Sequence, residues 1–289
     1  MNVKKLFPLL AVAVVLAAGN ATIVVARSTA PRPVYQLPQS YYLALGDSIT
    51  YGFQPIKAKP GARASDFDTG YVDLFAARLR KLSSKIRVVN YGCPGESTVT
   101  FTRGGCEGLA EGFKLHDAFR GSQLSAALAF LRAHPAQVSP VTLTLFGNDW
   151  FPIFDSCKGN LGCVRKRGPS QIAAFGSRLT LILERLRAAA PSTEIIVTGA
   201  WNIDPESLEQ LRPVYRSLDA AIARAATASH ARFANTVAAF NPRGSLPTQR
   251  ARLCALSFIC SKGDPHPTDA GYRAIADAVT AASGYPRKP

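Results

Sequence analysis

Five short apolar runs, separated by longer stretches whose apolar residues recur at helical spacing, constrain this chain more than any other feature. The runs are Tyr41–Leu45, Ile86–Tyr91, Val141–Phe146, Glu194–Thr198 and Arg232–Val237. Between them, Tyr71, Phe75, Leu79 and Leu82 fall on one helical face, as do Leu124, Leu128 and Leu131, and then Ile172, Phe175, Leu179, Ile182 and Leu186. A further helix is expected after Pro205, and a last one from Thr268 to about Ala282, with the Thr268 hydroxyl as its N-cap. Strands that alternate with helices cannot pair as hairpins. They lie parallel, each crossover helix covers a face, and strands buried on both sides read as apolar runs. The expected fold class is therefore α/β, a three-layer α/β/α sandwich around a central parallel sheet. Ligands bind such sheets beyond the carboxyl ends of the strands.

The chain has 289 residues, 47% of them hydrophobic, which is enough for one large core. Residues 1–26 run from Lys4 and Lys5 through an apolar middle to small residues, the order of a signal peptide. Uncleaved, the same segment is nearly long enough to anchor the chain in a membrane. Both routes export the rest, so the protein is expected to be secreted, or anchored and facing outside. A Pro-rich linker over 27–40 precedes one domain over 41–289.

Six cysteines suit that oxidising compartment. They fall into sequence-local couples, Cys93 with Cys106, Cys157 with Cys163 and Cys254 with Cys260, and short loops close at the least entropic cost. None of the couples has the spacing of a zinc knuckle, and no HExxH-like cluster is present, so neither metal nor cofactor is expected. The formal net charge is +15, and removing residues 1–26 takes away two lysines and no acids, leaving +13. Basic clusters such as Arg78, Arg80, Lys81 and Arg165, Lys166, Arg167 lack interleaved aromatics and match no nucleic-acid module. They read as solvated faces, with weak attraction to anionic surfaces as the alternative.

Chemistry concentrates where the apolar runs stop. The first run ends in Gly46-Asp47-Ser48, either a turn or a nucleophile set at a strand end. Serine needs a base to take its proton and donors to hold the oxyanion formed on attack. Four histidines are available. His134 and His230 occupy connector positions, and His116 lies in a loop with no evident role. His266, in "KGDPHPTDAGY" with Asp264 two residues before it, stands just ahead of the last helix. The third run ends in "FGNDW", where Asn148 is either turn chemistry or an amide donor to an oxyanion. The second ends in "NYGCPGES", whose Gly95 offers an unobstructed backbone N–H.

These four segments, in this order, resemble the SGNH (GDSL-type) hydrolase family of esterases and lipases, over Tyr41 to about Ala282. The resemblance implies a flavodoxin-like α/β/α fold and metal-free hydrolysis of carboxylic esters by a monomer acting on small-molecule or lipid esters. Carried over by position, it implies Ser48 as nucleophile, His266 as base, and the Ser48 N–H, the Gly95 N–H and Asn148 as oxyanion donors. The local cysteine couples also resemble those of secreted bacterial members. Two positions depart from the pattern. Phe146 stands where the family has glycine, so it either narrows the acyl pocket or faces the core. Gly263 stands where the family's acid lies, which leaves Asp264 as the triad acid, or else a backbone carbonyl orients His266 and Asp264 braces the loop. Asp269 is read as an acid favourable in the first turn of the last helix. Alternatives in function are a carbohydrate acetylesterase of the same fold, or a non-catalytic cationic binding protein of the cell surface.

Overall fold

The computed structural model describes residues 37–285, so the expected signal peptide and most of the linker lie outside the described residues. Five strands, β1 (Tyr41–Gly46), β2 (Arg87–Asn90), β3 (Val138–Thr144), β4 (Ile195–Thr198) and β5 (Arg232–Ala234), form one sheet in the order β2-β1-β3-β4-β5. Every pairing is parallel. All residues of β1, β3 and β4 are buried, as parallel strands covered on both faces require.

Six helices form the outer layers: α1 (Tyr71–Arg80), α2 (Gln123–Ala133), α3 (Leu161–Ala189), α4 (Arg212–Ala228), α5 (Leu246–Leu256) and α6 (Asp269–Ser283). Helix α6 packs on α1, α5, β4 and β5, while α3 packs on α2 and α4. On α1 the buried set is Tyr71, Val72, Phe75, Ala76 and Leu79, and on α4 it is Val214, Tyr215, Leu218, Ala221, Ile222, Ala225 and Ala226. Both are single apolar stripes of helical period. Thr268 caps α6, its Oγ1 accepting from the Gly271 N–H at 3.2 Å. All six cysteines pair locally as expected, with Cα separations of 6.4, 5.6 and 5.2 Å for Cys93–Cys106, Cys157–Cys163 and Cys254–Cys260.

Three differences from the sequence reading have physical causes. Strand β3 begins at Val138 and ends at Thr144, because Phe146 already precedes a helical turn, Gly147–Trp150, rather than continuing the ladder. Helix α3 starts at Leu161, well ahead of the apolar stripe that begins at Ile172, and runs through Gly168-Pro169. Gly168 sits against the Trp150 ring, so tertiary packing holds that segment helical. Strand β5 stops at Ala234, three residues early, because Thr236 turns back to bond the Gly199 carbonyl and leads into the turn Val237–Phe240.

Candidate active site

In the order 2-1-3-4-5 the direction of winding reverses between β1 and β3, and the crevice beyond their carboxyl ends is the site that this topology opens. Ser48 and Asn148 follow those two strands. The chain turns sharply at Gly46, whose φ is +134°, and a Cβ there would come within 2.1 Å of the Thr144 carbonyl oxygen, so only glycine fits. Asp47 then caps the turn Ser48–Tyr51, its Oδ1 accepting from the Ile49 N–H at 2.9 Å. Burial pushes the Asp47 carboxyl up to about 7, with the charges of Asp149 and Glu96 adding to the effect and the Ile49 N–H opposing it.

His266 reaches this point from the loop ahead of α6. Its Nε2 lies 2.8 Å from Ser48 Oγ and its Nδ1 lies 2.7 Å from Asp264 Oδ1. Asp264 Oδ1 also accepts the His266 backbone N–H at 2.9 Å, which locks side chain and loop together. Burial works to raise the Asp264 carboxyl, but the hydrogen bonds and charge of His266 outweigh it and hold the group below the usual carboxylate range. The displaced acid is explained by Gly263, which closes the turn Ile259–Lys262 in the left-handed conformation at φ +68° and sends Asp264 back towards the histidine. The loop is docked at three points: Phe258 N–H donates to the His266 carbonyl, Ser257 bridges Pro267, and Thr268 N–H donates to the Leu256 carbonyl. Asp269 is engaged elsewhere, accepting from Gln54 Nε2 at 2.9 Å.

Gly95 and Asn148 line the same cleft as Ser48 and His266. Asn148 Nδ2 donates to the Glu96 carbonyl at 2.9 Å, which uses one of its two N–H groups and orients the amide. The walls of the cleft also include Phe53, Phe113, Phe146, Phe151, Trp201 and Ile203, with Glu107 and Glu111 among the polar lining, around a volume of about 250 Å³. Phe146 faces the core and the cleft at once. It is buried, set edge-on to Trp201 with centroids 5.0 Å apart, and it also lines the cleft.

The remaining histidines stay out of the cleft lining. His116 uses one ring nitrogen on the Tyr51 carbonyl and the other on Asp68, at 2.9 and 3.1 Å, and so braces two loops. His134 Nδ1 bonds the Phe130 carbonyl at 2.9 Å, and the His230 carbonyl accepts from Arg187. Sequence reasoning missed the groups beneath the site. Buried Asp149 accepts from the Thr98 N–H at 2.7 Å and pairs with Arg178 at 3.0 Å, tying the loops after β2 and β3 to α3. Its place beside Asn148 was the available signal. Gln123 and Glu96, described below, carried none. Among the described residues, no group of three or more His, Cys, Asp or Glu could hold a metal ion.

A parallel α/β sandwich here brings a serine and a histidine into hydrogen-bond contact at the switch point of its sheet, and the family model the chain matches makes it a hydrolase acting on carboxylic esters. The chain belongs to the GDSL-like lipase/acylhydrolase family, whose model matches residues 44–274. Among solved structures, Axe2, an acetylxylan esterase from Geobacillus stearothermophilus, is 19% identical with a TM-score of 0.58, covering 86% of this chain and 97% of that one. An extracellular lipase from Streptomyces rimosus is 17% identical with a TM-score of 0.59, covering 84% and 99%. LAE5, an α/β hydrolase from the metagenome of Lake Arreo, is 21% identical with a TM-score of 0.54, covering 86% and 97%. At these identities the likeness is one of fold. No curated protein sequence matches the chain.

Proposed function

We propose that this chain is an exported serine esterase that cleaves short-acyl carboxylic esters through an acyl-enzyme. The observation that carries the reading is the unbroken line of contacts from Ser48 Oγ through His266 to Asp264, at 2.8 and 2.7 Å. His266 Nε2 takes the Ser48 proton as Oγ attacks the ester carbonyl, and the ionised Asp264 stabilises the imidazolium that forms. The oxyanion is held by the Ser48 and Gly95 backbone N–H groups and the free N–H of Asn148. His266 then protonates the departing alcohol, and deacylation repeats the sequence with water as nucleophile.

The size of the cleft favours short acyl groups. A volume of about 250 Å³, lined in part by five aromatic rings and Ile203, falls below the roughly 300–1,000 Å³ that ligand pockets usually span. Export is supported by the basic-then-apolar order of residues 1–26 and by three disulfides, which persist in oxidising compartments. No helix of the described residues is long and apolar enough to cross a membrane. Turnover of p-nitrophenyl esters of graded chain length by the wild type and Ser48→Ala is the test. Activity that peaks at short chains and is abolished in a folded Ser48→Ala protein is expected. Undiminished turnover in that variant would sink the assignment of the nucleophile.

A further inference from the structure

The hydrogen bonds between β1 and β2 leave a gap just where the site begins. Paired register stops at Ala44 with Asn90, after which only Tyr91 N–H to Ala44 and Cys93 N–H to Gly46 bridge the two chains. Gly46 thus carries a backbone N–H, two residues before Ser48, with no strand to receive it. Gln123, the first residue of α2 and fully buried, fills the gap with its side chain. Its Oε1 accepts the Gly46 N–H at 2.6 Å, and its Nε2 donates to the Gly46 carbonyl at 3.1 Å. The same Nε2 donates to Glu96 Oε2 at 2.9 Å. Glu96 is only 1% exposed, follows Gly95 directly, and its backbone carbonyl is the acceptor that orients Asn148.

One amide and one carboxyl therefore connect the turn of the nucleophile to the loop of Gly95 and to the side chain of Asn148. From this geometry we propose that Gln123 and Glu96 are positioning residues that hold the three oxyanion donors in register with Ser48. The proposal rests on the site reading given above. Neither residue lines the cleft, so neither touches substrate. Their effect belongs to the transition state, because the bonds they make set donor positions and leave the acyl pocket walls untouched. A fold that needed only a brace here would be served by apolar packing. A buried carboxyl with one oxygen, Oε1, lacking any partner among the described residues is a costly brace. A shift of about 1 Å between nucleophile and donors costs on the order of 100-fold in rate.

The test uses the full chain with p-nitrophenyl acetate as substrate and a trifluoromethyl ketone as analogue of the tetrahedral adduct. Gln123→Met keeps the volume and removes both bonds to Gly46 and the one to Glu96. It is expected to lower kcat by about 10- to 100-fold with KM within about twofold, and to weaken the ketone by the same factor as kcat/KM. Gln123→Glu sets two carboxyls against each other and is expected to be worse. The exchange Gln123→Glu with Glu96→Gln restores an amide-to-carboxylate bond and an acceptor for the Gly46 N–H, and is expected to recover turnover to within about tenfold of wild type. A Gln123→Met protein that melts earlier yet turns over normally overturns the proposal, as does an exchange variant no better than Gln123→Glu. If Gln123→Met does not fold, the exchange variant decides alone, and its failure to fold also overturns the proposal. Full activity in Ser48→Ala would instead remove the site reading itself, whereas an inactive Ser48→Ala beside an unimpaired Gln123→Met removes only this inference.

Discussion

Replacing Asp264 with asparagine isolates what the acid contributes. The two side chains are nearly isosteric, and the acceptor end of the amide is held inward because it faces two donors, His266 Nδ1–H and the His266 backbone N–H, at 2.7 and 2.9 Å. Orientation and tautomer of the imidazole therefore survive, and what disappears is the negative charge beside the imidazolium formed during attack. With charge centres roughly 4 Å apart and an effective dielectric near 20, that attraction is about 4 kcal/mol. Asp264 and His266 are 26% and 21% exposed, so water screens part of it. The loss should be about 2–4 kcal/mol of transition-state stabilisation, or roughly 30- to 1,000-fold in kcat. The assay is p-nitrophenyl acetate turnover from pH 6 to 9, with the melting temperature measured alongside. Asp269→Asn is the control, since Asp269 bonds Gln54, and it should change kcat by less than about threefold. If Asp264→Asn keeps turnover within about threefold of wild type, the enzyme works as a serine–histidine dyad and the electrostatic reasoning fails.

Asn148→Ala removes one oxyanion donor and should lower kcat by about 100-fold or more, with KM little changed; a variant that only melts earlier would make Asn148 a turn residue. Phe146→Ala opens the cleft beside Trp201 and should raise kcat/KM for octanoate relative to acetate esters, at a cost of about 3 kcal/mol in stability measured by urea unfolding. Unchanged chain-length selectivity would leave Phe146 a core residue only. Burial pushes Glu96 up to about 7, against the hydrogen bond from Gln123, so the folded chain keeps a proton there that the unfolded chain releases near 4.5. Stability from this group is present in acid and lost as pH rises from about 4.5 to about 7. Glu96→Gln, blind to that titration, should gain melting temperature over the wild type at pH 8 relative to the difference at pH 4, and a constant difference would contradict the burial argument.

Much of the fold could be read from the chain because its causes are local. Tyr41–Leu45 is apolar on both faces and had to be an interior parallel strand, and the stripe Tyr71, Phe75, Leu79 had to be a helix against a core, though Leu82 falls beyond the end of that helix at Arg80. Ser48, Asn148 and His266 were legible for a related reason: each follows an apolar run or precedes a capped helix, and the topology gathers such ends on one edge. The end of β3 was not legible, since Phe146 is as apolar as the strand before it and only its packing on Trp201 takes it out of the ladder. Asp264 was ambiguous in sequence because its role depends on the left-handed turn at Gly263. Gln123, Glu96 and Arg178 were invisible, being ordinary polar residues 27 to 77 positions from the partners they serve, and Asp149 was marked only by its place beside Asn148. Periodicity is a property of neighbours along the chain, so sequence alone determined the layers, the approximate places of the strands and the residue types of the site. Hydrogen bonds between segments distant in the chain exist only after the sheet has closed, and so tertiary structure alone decided which acid meets His266 and which buried amide steadies the turn of Ser48.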